Sequence, residues 1–175
     1  MARWDDSVRS AAKHWGQLYG ITIDPGLVHG ILERESRHGT DPNYVRNRGI
    51  VPEPNGHHSY GPMQVYDATL PDVINPGSGL TGPDLASHPE LGIWYGTRYL
   101  AGLIKRFGPD TLAAISAYNA GPARARRDSR GHFPNQSYVD AVVGFWQGHR
   151  GLAMSLPIVL LAGAAAWYFS RRRAA

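Results

Sequence analysis

Apolar residues in this chain recur every three or four positions, and nowhere do they alternate with polar residues over the length of a strand. That spacing lays an apolar stripe along a helix, whereas a half-buried strand needs a period of two. Trp4, Val8, Ala11, Ala12, Trp15 and Leu18 predict a first helix, with Gly20 placed to close it. Asp24-Pro25 opens a second, the aspartate as N-cap and the proline at the first helical position. Its stripe of Leu27, Val28, Ile31 and Leu32 leads to Glu35, four residues past Ile31 and so near the apolar face. A helix is expected from about 62 to 70, and a long one over 87–107, with Ser87 as N-cap, Glu90 at the third position and Gly108 beyond it. Asp110 begins another that Gly121 ends, and 138–146 reads as a last amphipathic helix. Residues 39–60 are rich in Gly, Pro and Asn and predict a long loop holding at most a small hairpin. The fold class is therefore all-α.

A chain of 175 residues suffices for one globular domain of ordinary size. It has no cysteine, which removes disulfides and thiolate metal sites. The net charge of +4 suggests an anionic partner, but residues 1–150 hold 15 basic and 14 acidic side chains, and the remaining basic residues are Arg171, Arg172 and Arg173. A nucleic-acid footprint over the main domain is not supported. Arg124, Arg126, Arg127 and Arg130 lie in a basic loop over 123–133 that reads as solvated surface.

From 152 to 169 the chain carries no formal charge and is rich in Leu, Ala and Val, with Pro157 as its one strong helix breaker. As a helix this run would be about 27 Å long, close to the roughly 30 Å core of a bilayer. Trp167 and Tyr168 lie at its far end and the three arginines follow. A single-span C-terminal anchor is the expectation, dividing the chain into a domain over 1–148 and a tail over 149–175, with a lipid bilayer as partner of 152–169. The bias of basic residues puts the tail's end on the cytoplasmic face and the main domain across the membrane. The polar start, Met1 to Asp6, does not read as a signal peptide.

Three blocks carry the chemistry: Glu35-Ser36, then Ser59-Tyr60-Gly61-Pro62-Met63-Gln64, then Ala117-Tyr118-Asn119-Ala120-Gly121. Together they offer one carboxylic acid, an amide and phenols. An acid in apolar surroundings keeps its proton near neutral pH, as a proton donor must. Ile31-Leu32-Glu33-Arg34-Glu35-Ser36, followed by Tyr60-Gly61-Pro62-Met63-Gln64-Val65 and Ile115-Ser116-Ala117-Tyr118-Asn119-Ala120-Gly121, resembles the soluble lytic transglycosylase domain of the lysozyme-like superfamily. Ser137-Tyr138-Val139-Asp140-Ala141-Val142-Val143 is similar to the late tyrosine block of the goose-type lysozyme branch. One departure is Pro62, where these enzymes usually carry an aliphatic residue.

The resemblance implies that Glu35 is the general acid on the bond between N-acetylmuramic acid and N-acetylglucosamine in peptidoglycan. Gln64 and the Met63 backbone would contact the sugar, with the Met63 side chain as core filler. Tyr118 would point its phenol at Glu35, Asn119 would hold local backbone, Tyr138 would be a further cleft residue, and Ser59 and Tyr60 would line an acetamido pocket. A transglycosylase needs no second carboxylate, because the muramyl 6-hydroxyl attacks its own anomeric carbon and leaves a 1,6-anhydro end. A hydrolase needs one to activate water. Goose-type lysozymes usually place an acid directly after Met-Gln-Val; here that residue is Tyr66, and Asp67, one step further along the expected helix, would point elsewhere. Asp41 and Glu53 are the remaining water-positioning candidates, and transglycosylation is the favoured outcome. No cofactor and no metal is expected; His57-His58 lacks a third ligand at metal spacing. A wall-cutting domain with a membrane tether resembles virion-associated transglycosylases, and a bacterial wall-remodelling enzyme is the other setting that fits. The rival from another class is a membrane-held protein that grips glycan without cutting it.

Overall fold

The computed structural model describes residues 4–149. The expected span over 152–169 lies outside the described residues, as does the tail over 149–175 apart from His149. Among the described residues, no helix is long and apolar enough to cross a membrane.

The first two helices, α1 (Asp5–Tyr19) and α2 (Pro25–Ser36), follow their caps. Gly20 at φ 65° closes α1, and the Asp24 carboxylate accepts the Gly26 N–H at 2.8 Å, satisfying a donor that helix geometry leaves orphaned. Leu18 departs from its stripe and is 66% exposed, because the helix turns that last position away from the core. A short helix α3 (Pro42–Arg46) begins on Asp41, whose carboxylate accepts from the N–H groups of Asn43 and Tyr44.

The stretch from 50 to 66 differs most from expectation. It forms a three-stranded antiparallel sheet in the order β1 (Ile50–Pro52), β2 (His58–Tyr60), β3 (Val65–Tyr66), where a hairpin at most was expected. The helix expected over 62–70 is absent. Its first half is a turn and β3, followed by a 3-10 turn (Asp67–Thr69) and the one-turn helix α4 (Leu70–Val73). Gly61 and Gln64 both hold positive φ, at 70° and 48°, which an α-helix does not accommodate.

A helix α5 (Gly82–Ser87) precedes α6 (Pro89–Phe107), so Ser87 ends one helix where it was expected to cap the next, and the N-cap of α6 is His88. Pro89 decides the boundary: it lacks an N–H and fits the first helical position, not the interior. Asp110 caps α7 (Thr111–Ala120) by accepting the Ala113 N–H, and Gly121 ends it. The last described helix, α8, spans residues 136–149.

The main core joins α1, α2, α6, α7 and α8 through Val8, Ile31, Leu32, Leu100, Ile115, Val139 and Val142, with Met63 fully buried among them. A smaller cluster of Tyr60, Val65, Val73, Leu85 and Tyr95 lies beneath the sheet. Between the two, the turn over 61–64 is pressed against α6. A Cβ on Gly96 would fall 2.6 Å from Met63 Cβ, and one on Gly92 would fall 2.6 Å from the Pro62 ring. Gly61 is required twice over, by its positive φ and by the Leu85 carbonyl 2.4 Å from where a Cβ would sit. Ser36 completes the clamp: its buried hydroxyl donates to the Pro62 carbonyl at 2.8 Å and accepts the Gly39 N–H at 3.0 Å.

Gly61→Ala combines a strained backbone with overpacking and should cost about 2–4 kcal/mol. The measurement is a urea unfolding curve whose midpoint falls while its slope is kept.

Candidate active site

A cleft of about 610 Å³ opens between the sheet and the ends of the long helices. The sheet side presents Glu53, Ser59 and Tyr66; the helical side presents Glu35 from the end of α2, Tyr99 from α6, and Tyr118 with Asn119 from the end of α7. Gln64 lies at the junction, its amide donating to the Gly61 carbonyl at 2.7 Å. Asp41, Tyr44 and Arg124 complete the rim, so one of the four loop arginines reaches the cleft. Arg127 instead pairs with Asp110 and lies over the Phe133 ring.

Glu35 is half-buried, with part of its surface open to the cleft. Burial pushes its carboxyl up to about 7; the Glu53 charge pushes the same way, while the hydrogen bond from Tyr138 and the charge of Arg34 oppose them. The Tyr138 hydroxyl donates to Glu35 Oε1 at 2.5 Å. Arg34 lies over the face of the Tyr138 ring, 5.4 Å from its centroid, and backs the phenol that positions the acid. Burial raises the Tyr138 phenol well above its usual value and the Glu35 charge adds to this, so it remains a donor.

The two tyrosines therefore exchange the roles expected of them. Tyr118 does not point at Glu35; its hydroxyl donates to the Met63 carbonyl at 2.9 Å, and its ring meets Tyr99. The reason is reach: Tyr118 lies under the 61–64 turn, whereas α8 brings Tyr138 against the end of α2. Met63 is not among the cleft-lining residues. Its carbonyl is engaged by Tyr118, and its sulfur accepts from the Thr97 hydroxyl at 3.7 Å. Tyr60 also lies away from the cleft, because neighbouring strand residues face opposite sides of a sheet. Ser59 faces the cleft and donates to Glu53 Oε1 at 2.6 Å, while Tyr60 packs under Gly82 in the smaller core. Asn119 lines the cleft and its side-chain oxygen accepts from Asn135, which also bonds the Ser116 carbonyl.

Asp67 is outside the cleft, though not for the helical reason expected. It follows a strand, and its carboxylate accepts the His58 N–H at 2.8 Å. Two other carboxylates, Asp41 and Glu53, do share the cleft with Glu35. Sequence reasoning missed Tyr66, whose hydroxyl accepts from Asn55 at 2.7 Å on the cleft wall, and Tyr99. A strand of two residues carries no periodic signal that would have placed Tyr66.

Because Glu35 holds its proton more tightly in the folded state, the native protein binds more protons than the unfolded chain between about pH 4.5 and 7. Stability therefore falls as pH rises through that window, by up to about 3 kcal/mol from this group. Glu35→Gln should remove the slope and melt higher than the parent at pH 8, as thermal unfolding at several pH values will measure. Tyr138→Phe removes the bond that lowers the Glu35 pKa, so this pH dependence should shift upward. Tyr118→Phe should instead leave the Met63 carbonyl without that donor and cost about 1–3 kcal/mol, with little change in the Glu35 titration. NMR titration of the carboxyl distinguishes the two variants.

Known proteins resemble this chain in sequence and in fold. Residues 11–138 match the family model described as the transglycosylase SLT domain. Over 87 residues the chain is 32% identical to the soluble lytic murein transglycosylase of Salmonella typhimurium and 31% identical to that of Escherichia coli, covering 47% of this chain and 14% of each relative. The match thus spans about a seventh of their length. Among solved structures, an inactive mutant of the lytic transglycosylase Slt from Pseudomonas aeruginosa superposes with a TM-score of 0.54 at 19% identity, covering 79% of this chain and 23% of that one. With helices and cleft as described and the family model spanning most of its length, the chain belongs to the transglycosylase SLT domain family.

Proposed function

We propose that this protein is a peptidoglycan lytic transglycosylase that cuts the bond between N-acetylmuramic acid and N-acetylglucosamine, with Glu35 as both acid and base. The observation that carries this reading is a carboxyl raised to about 7, held by Tyr138 and open to a cleft large enough for sugar rings. Near neutral pH such a group is substantially protonated and can donate to the glycosidic oxygen as the bond breaks. Once ionised, it can take the proton of the muramyl 6-hydroxyl as that oxygen closes on the anomeric carbon. One carboxyl group therefore serves both halves of the reaction and is returned in its starting state.

The polar cleft wall suits the substrate. Amide and hydroxyl groups from Gln64, Ser59 and Asn119 can exchange hydrogen bonds with sugar hydroxyls and acetamido groups, and the Tyr66 and Tyr99 rings offer faces to sugar C–H surfaces. Tyr138 is a positioning residue, acting through Glu35. A cleft that binds glycan without cutting it would not need an acid whose proton is retained to neutral pH. With the apolar 152–169 segment read as a tether, wall remodelling and phage infection are the two settings that suit this reading.

A specific observation supports a second reading. Glu53 shares the cleft with Glu35, and its charge contributes to the raised Glu35 pKa. A carboxylate in that place can activate water and turn the enzyme into a hydrolase. Mass spectrometry of digested sacculi separates the two. Transglycosylation gives 1,6-anhydro ends, and Glu53→Gln should keep that product; hydrolysis gives reducing ends, and the same substitution should abolish it. In either case Glu35→Gln should lower turnover by at least about 10²-fold. For the parent, activity should decline as pH rises through about 7, where the acid loses its proton.

A further inference from the structure

Away from the cleft lining, three histidines distant in sequence meet. His29 is buried in the middle of α2, His38 follows the helix end, and His149 closes the described part of α8. One ring nitrogen from each can be chosen so that all lie within 4.8 Å of one another. His29 Nδ1 and His38 Nε2 are 3.0 Å apart, and the His149 ring stacks on His29 with centroids 4.9 Å apart.

The outer nitrogens of the first two rings are held by carboxylates. His29 Nε2 lies 3.0 Å from Asp5 Oδ1, and His38 Nδ1 lies 2.7 Å from Glu33 Oε2. A carboxylate can only accept, so each outer nitrogen carries its hydrogen, and both inner nitrogens turn lone pairs toward the same point. Two facing lone pairs at 3.0 Å are the geometry of a shared proton, and a metal ion can take its place once the two rings open slightly. The Asp5 carboxylate is itself anchored, its other oxygen accepting from Arg9 at 3.0 Å. A carboxylate behind each ligating imidazole is the arrangement that fixes tautomer and ring orientation around zinc.

We propose that His29 Nδ1, His38 Nε2 and His149 form a binding site for a divalent first-row transition metal, zinc above all, with Asp5 and Glu33 as the orienting outer shell. Tetrahedral zinc with Zn–N near 2.1 Å needs ligand nitrogens roughly 3.4 Å apart. The first pair, 3.0 Å apart, has to open by about 0.4 Å, and the partly exposed His149, stacked on the His29 ring, has to turn so that one of its nitrogens points at the ion. The proton shared by the inner nitrogens leaves to solvent as the metal binds. The bound ion ties α8 to α2, the two helices that carry Tyr138 and Glu35. That contact is already close, since a Cβ on Gly30 would fall 2.9 Å from the Val142 carbonyl. The proposal stands apart from the glycan-cutting reading and would hold for a catalytically silent domain.

The test uses the full chain, stripped with EDTA and titrated with zinc chloride by calorimetry. One equivalent should bind, and at a hundredfold excess over Kd the melting temperature should rise by roughly 5 °C. His38→Gln and His149→Gln, each checked for native circular dichroism, should lose one-equivalent binding. Glu33→Gln should weaken it by about 10- to 100-fold. The double variant His57→Gln, His58→Gln should bind like the parent. Absence of one-equivalent binding, its survival in both His38→Gln and His149→Gln, or its loss in the His57/His58 control overturns the proposal.

Discussion

The Glu35 carboxyl sits at the end of α2, where burial disfavours its charge while one face remains open to the cleft. Both conditions must hold together. A fully solvated acid would be ionised at neutral pH, and a sealed one could not meet a substrate. Tyr138 holds one oxygen from α8, Arg34 backs Tyr138, and Glu53 across the cleft opposes ionisation. The positions of α2, α8 and the loop after β1 relative to one another therefore all act on one proton.

The residue after the acid secures the other wall. Ser36 donates to the Pro62 carbonyl and Tyr118 donates to the next carbonyl along, that of Met63. Two consecutive backbone oxygens of an irregular turn are thereby satisfied by buried hydroxyls, which a buried loop needs if it is not to carry a desolvation penalty. With glycines at 92 and 96 letting α6 approach, the turn is held firmly enough to present Gln64 at positive φ beside Glu35 in the cleft.

The sequence was most readable where a single residue acts on its own backbone. Asp24, Asp110, Gly20, Gly108 and Gly121 all stand at helix ends as their local chemistry dictates. It was least readable between 50 and 70, where strands of two and three residues are too short for alternation to register. The 62–70 stretch carries helix-compatible residues, yet tertiary contacts with α2 and α6 impose a turn and a strand instead. Ser87 was misplaced for a related reason: two helices meet there, and the proline at 89 marks the boundary more strongly than a serine cap does.

The place of the Glu35 carboxyl at the end of a helix, the order of the blocks around it and the predominantly helical class were determined by the chain alone, because helix periodicity and cap chemistry are local. Which tyrosine reaches the acid, which carboxylates share its cleft, and the meeting of His29, His38 and His149 were decided only by the tertiary structure. Tyr118 and Tyr138 are chemically identical, and the side chain that reaches Glu35 depends on how α7 and α8 pack against α2. The three histidines come together because Gly26 and Gly30 let α8 lie close on α2, a distance between helix axes that no local spacing encodes.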